Sequence, residues 1–79
     1  MKKELLTWVR KGLLNTAHNT NEQVSCGCER LLQPMNTKCH FDGSVLNVTF
    51  SDGGDIEFDI EMRPSEVSGN VITSIELHS

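Results

Sequence analysis

Seventy-nine residues with a net charge of −4 leave room for one domain and one core. Hydrophobic residues make up 37% of the chain and only Trp8, Phe41, Phe50 and Phe58 are aromatic, so each aromatic is a candidate core anchor. No run approaches the roughly 20 apolar residues of a membrane span, and three cysteines, an odd number, argue against a secreted disulfide framework.

The N-terminal segment Met1-Lys2-Lys3-Glu4-Leu5-Leu6 starts like a signal peptide but fails as one. Arg10-Lys11 breaks its apolar stretch and no small-residue cleavage site follows. A cytoplasmic protein is therefore expected. Over residues 3–14, Leu5, Trp8, Val9 and Leu13 recur at helical spacing, with Leu6 and Leu14 widening the stripe. Gly12 on that face marks either close packing or an early end. Asn15-Thr16-Ala17-His18-Asn19 reads as a loop by composition.

The second helix has a clear start. Thr20 followed by Gln23 matches a capping box, in which side chains satisfy the first free backbone N–H groups. Val24, Cys28, Leu31 and Leu32 then form one apolar stripe, and Pro34 ends the helix because the residue before a proline avoids helical geometry. Gly27 in its middle costs about 1 kcal/mol relative to alanine.

The second half reads as β. A short strand over 37–41 leads into Asp42-Gly43, a preferred two-residue turn that pairs Phe41 with Ser44 and Cys39 with Leu46. Leu46, Val48 and Phe50 continue that face with period two. A three-residue loop at Asp52-Gly53-Gly54 pairs Phe50 with Ile56, Val48 with Phe58 and Leu46 with Ile60. A two-residue loop would set Phe50 against Glu57 and is rejected on register. Asp55-Ile56-Glu57-Phe58-Asp59-Ile60-Glu61-Met62 alternates without a break up to Pro64, Ser68-Gly69-Asn70 turns, and Val71–Leu77 forms the last strand. The expected fold is α+β, a single domain over 1–79. Two N-terminal helices pack on one face of a three- to four-stranded antiparallel meander, with Trp8 and Leu31 against it.

Cys26, Cys28, Cys39 and His40, with His18 nearby, resemble a zinc set at first sight. Their spacing opposes it. Cys26 and Cys28 lie about 200° apart around a helix, and Cys39 and His40 face opposite sides of a strand, so the thiols should not converge. Buried cysteine as a small core residue is the simpler reading, and neither metal nor cofactor is expected. There is no Gly-rich phosphate loop, no Ser-His-Asp set and no Glu-x-x-His, so no catalytic residues are assigned and a non-enzymatic protein is expected.

Charge is unevenly spread. Residues 1–50 sum to +2 and residues 51–79 to −6. Within the acidic half, Asp55, Glu57, Asp59 and Glu61 fall on one strand face about 6.7 Å apart, a stripe about 20 Å long. Its sign excludes direct nucleic-acid binding, and the basic N-terminal end lacks aromatic platforms for bases. The four carboxylates are thus the candidate partner-binding residues, for a basic protein surface or nucleoprotein complex. A solvated outer face that discourages edge pairing is the competing reading. Small size, acidity and the lack of a catalytic set match the general style of phage-encoded inhibitors of host defence, anti-CRISPR proteins included; that likeness rests on no motif. The alternatives are a structural protein that pairs with copies of itself and a zinc or thiol module built on Cys26, Cys28 and Cys39.

Overall fold

The computed structural model describes residues 2–18, 20–67 and 69–79. Two helices, α1 (Lys2–Leu13) and α2 (Asn21–Leu31), accompany five strands: β1 (Ala17–His18), β2 (Lys38–Phe41), β3 (Val45–Thr49), β4 (Asp55–Pro64) and β5 (Asn70–Leu77). The sheet is antiparallel throughout, in the order β1-β5-β4-β3-β2. The α+β class holds, but five strands replace the expected three or four. The extra one is β1, which pairs Ala17 with Val71 and His18 with Asn70 inside the segment read as a loop. Two residues are too few to show an alternation, so composition alone reads them as loop. Asn19 and Ser68, which the expected loop and the last turn include, lie outside the described residues.

Thr20 caps α2 as its sequence predicts, its side chain accepting from the Gln23 N–H at 3.1 Å. The helix closes at Leu31, and Gln33-Pro34-Met35 continues as a single 3-10 turn. α1 ends at Leu13, with Asn15 in the left-handed region (φ 68°). The two helices take different ends of the sheet, α1 packing on β5 and α2 on β2, and they also contact each other. This differs in detail from the expected stacking of both on one face. They share a single core nonetheless: Leu5, Leu6, Val9 and Leu13 of α1 and Val24 and Cys28 of α2 join the inward side chains of the strands.

Gly12 marks close packing. A Cβ there would run into the Leu31 side chain, with Cδ1 only 2.7 Å away. Trp8 departs from expectation. It is 46% exposed and does not anchor the core. Leu5, Leu6, Val9 and Leu13 define the buried arc of α1, and at 100° per residue Trp8 falls about 60° outside it. The stripe is wider than the surface available to cover it.

Both hairpins keep the predicted faces but slide by one residue. Phe41 pairs with Leu46 and Cys39 with Val48, which moves the two-residue turn to Gly43-Ser44. The Asp42 carboxylate drives the shift by accepting from the Ser44 and Val45 N–H groups at 2.9 and 2.8 Å, while Gly43 adopts φ 109°. At the next turn the loop has three residues, as register logic required. It is Ser51-Asp52-Gly53, closed by Phe50 N–H to Gly54 C=O at 2.8 Å, and it pairs Val48 with Ile56 and Leu46 with Phe58. Slides of this kind preserve parity, so Leu46, Val48, Phe58 and Ile60 remain buried. β4 itself runs on to Pro64.

Candidate functional site

β4 alternates strictly. Phe58 and Ile60 are buried and Ile56 and Met62 half-buried on its inner side, which sends Asp55, Glu57, Asp59 and Glu61 outward. The stripe expected from the sequence is therefore formed. Asp55, Glu57 and Glu61 are exposed and Asp59 is half-buried.

Neighbouring strands modify it. Asn47 of β3 donates to the Asp55 carboxylate at 3.0 Å and is itself held by Thr49 at 2.9 Å. Cross-strand pairing sets Glu76 of β5 beside Asp59, so a fifth carboxylate joins the face. Arg10 of α1 reaches around the β5 edge to Glu76 at 2.6 Å while its Nε donates to the Ile75 carbonyl at 2.8 Å. One guanidinium thus anchors the helix and occupies a backbone acceptor that an open edge would offer another chain. His78 lies against Asp59 at 2.6 Å, and its pKa is raised by that hydrogen bond, by the charge of Asp59 and more weakly by Glu57. Asp59 is consequently the most restrained member of the row, while Glu57, between the two partnered positions, and Glu61, at the end of the row, project into solvent.

Glu76 and His78 are the members that sequence reasoning missed. β4 and β5 fall out of register at Glu61/Met62, and Thr73 is the residue left over. Ile72 and Ile75 are therefore both buried although three apart. Period-two logic fails across that point, which hides the outward direction of Glu76. Residues Thr73 and Ser74 between two inward isoleucines were the available signal for a bulge.

The cysteines are placed partly as expected. Cys26 is exposed while Cys28 is buried, and Cys39 is buried while His40 is exposed. Their separation, however, is corrected: the Cys28 and Cys39 thiols lie near enough to shift each other's titration. The helical and strand periods locate each side chain on its own element, but they do not show that α2 lies alongside β2, which brings these two inward groups together. Interaction with Cys39 pushes the Cys28 thiol pKa up, with burial adding to it, and interaction with Cys28 lowers that of Cys39, helped by Thr37. Among the described residues no three His, Cys, Asp or Glu side chains are grouped to hold a metal ion.

Between α2 and β2 runs an open cleft lined by Glu22, Ser25, Cys26, Glu29, His40 and Asp42, among others. Ser25 closes its floor by accepting from the Phe41 N–H at 2.8 Å. The Thr16 hydroxyl contacts His18 Nε2 at 2.8 Å, but it also donates to the Leu13 carbonyl and so ties down the end of α1. Burial lowers the His18 pKa.

No helix among the described residues is long and apolar enough to cross a membrane. No family model, curated protein or solved structure matches this chain.

Proposed function

We propose that this chain is a non-enzymatic binding module, an inhibitor or adaptor, that docks the outer face of its sheet on a basic surface of a nucleic-acid-handling protein. The observation that carries this reading is the carboxylate row of Asp55, Glu57, Asp59 and Glu61 on the outer side of β4, broadened by Glu76. Five carboxylates on one rigid sheet face present a regular negative field to a Lys/Arg groove. Hydrogen bonds hold three of them: Asn47 to Asp55, His78 to Asp59 and Arg10 to Glu76. Preorganised charge of this kind limits the ordering entropy that binding costs. Size and acidity are shared with phage-encoded inhibitors of host nucleic-acid machinery, and the partner class follows from charge complementarity.

The test is a pull-down from lysate with the immobilised chain, at low and high salt. The comparison bait carries Asp55→Asn, Glu57→Gln, Asp59→Asn and Glu61→Gln. A basic protein retained by the wild type at low salt, released at high salt and ignored by the variant supports the reading. Identical capture by both baits would leave the row as a solvated face.

A further inference from the structure

Of the three cysteines, Cys26 is exposed while Cys28 and Cys39 lie in the core. α2 packs on β2, and one hydrogen bond fixes how the two line up: Phe41 N–H donates to Ser25 Oγ at 2.8 Å. Cys28 follows Ser25 by three residues, about 4.5 Å along the helix. Cys39 precedes Phe41 by two residues on the same buried strand face, about 6.7 Å along it. Both steps run toward the connection at residues 32–37, so the two thiols arrive at one level of the α2–β2 seam. Their effect on each other's titration agrees with that placement.

The pair has an approach side. Cys39 forms part of the wall of the open cleft between α2 and β2, whereas Cys28 is wholly covered. Interaction with Cys28, helped by Thr37, whose Oγ1 stands 4.0 Å from Cys39 Sγ, favours the Cys39 thiolate, the form that reacts with oxidants. We propose that Cys28 and Cys39 are a peroxide-responsive pair that closes to a disulfide across the α2–β2 seam. The Cys39 thiolate attacks one oxygen of hydrogen peroxide and the O–O bond breaks. Cys39 becomes a sulfenic acid, and the other oxygen takes up a proton and leaves as water. The Cys28 sulfur then attacks the Cys39 sulfur, the S–S bond forms, and the sulfenic hydroxyl leaves as water with the Cys28 proton. Two thiols thereby lose two electrons and reduce one peroxide to two waters. The cross-link fixes α2 on β2 and stands apart from the docking of the acidic row.

The test treats the intact chain with hydrogen peroxide, alkylates the remaining thiols and maps the peptides by mass spectrometry. The expected product is a monomer lighter by two hydrogens and alkylated at Cys26 alone. Its Tm should rise by roughly 10 °C or more, as closing a short loop does in a domain of this size, and fall back when dithiothreitol reduces the bond. Cys28→Ala and Cys39→Ala should each abolish the product. Cys26→Ser should form it as the wild type does; that side chain is exposed, so this variant stays folded whatever the core variants do. Cys26 also lines the cleft and is the rival partner of Cys39. A wild-type disulfide joining Cys39 to Cys26, or a Cys26→Ser chain that loses no hydrogens, would overturn the proposal. So would a cross-link that lowers Tm, since the sulfurs would then meet only in a distorted chain.

Discussion

Replacing each helical glycine by alanine should change stability with opposite sign, because the two sites differ in the space a methyl group would find. At Gly27, inside α2, an added Cβ lies 3.6 Å from both His18 Cε1 and Leu13 Cδ2, ordinary van der Waals contact. The substitution removes the helix-interior cost of glycine, about 0.8–1 kcal/mol, and strains nothing. For a domain of this size 1 kcal/mol corresponds to about 4–8 °C in Tm, so Gly27→Ala should melt several degrees above wild type. At Gly12 the Cβ would overlap Leu31, whose Cδ1 is 2.7 Å away and Cγ 3.1 Å. Overpacking costs about 1–3 kcal/mol, and Gly12 lies in the last turn of α1, where the helix gain is smaller. A net loss of roughly 1–2 kcal/mol is expected. Leu31→Ala removes the clash, so in that background Gly12→Ala should become neutral or mildly stabilising. Thermal and urea unfolding followed by circular dichroism measure all four variants. The packing described for the α1–α2 contact is refuted if Gly27→Ala lowers Tm, or if Gly12→Ala stabilises the wild type as much as Gly27→Ala does.

Other consequences follow from the core and the titrating groups. Phe58 is fully buried between Leu46 and Leu77, so Phe58→Ala should cost about 3–5 kcal/mol from a total of roughly 4–12; a variant with wild-type urea midpoint would mean that the wrong sheet face is inside. His18, its pKa lowered by burial, binds fewer protons folded than unfolded, so its contribution is present above pH 6.5 and is lost as pH falls below it. His78, raised by Asp59, contributes in the opposite sense, fully below pH 6.5 and less as pH rises through its folded value. Melting curves from pH 5 to 8 should therefore show His18→Gln flattening the acid side and His78→Gln the neutral side. Chelator should leave the circular dichroism and Tm unchanged, because only Cys28 and Cys39 converge; a fall in Tm restored by zinc would contradict this.

Legibility from the sequence followed periodicity. The α1 helix, the Thr20 cap and the alternation of β4 are local patterns that need no tertiary information, and each appears where the residues place it. Hairpin faces were equally legible because a slide of one residue in the turn keeps parity. The slide itself was not, since the Asp42 carboxylate, rather than the Asp-Gly dipeptide, sets the first turn. What stayed hidden depends on neighbours in space. The two residues of β1 gain strand geometry only from β5, Trp8 lies outside the buried arc, and Cys28 meets Cys39 because α2 lies beside β2. The acidic row was visible in β4, while Glu76 and His78 join it through a register that the β5 bulge obscures.

The most direct measurement is titration of the captured basic partner against wild type and the fourfold carboxylate variant at two salt concentrations. Neutralising exposed like charges removes mutual repulsion, so the variant should stay folded. Exposed rim charges mainly set association rate and salt dependence, whereas desolvated central pairs cost about 2–5 kcal/mol when one partner is removed. The account predicts affinity weaker by orders of magnitude for the variant and a flattened dependence on ionic strength. Equal affinities with equal salt dependence would contradict it and move the binding surface away from β4.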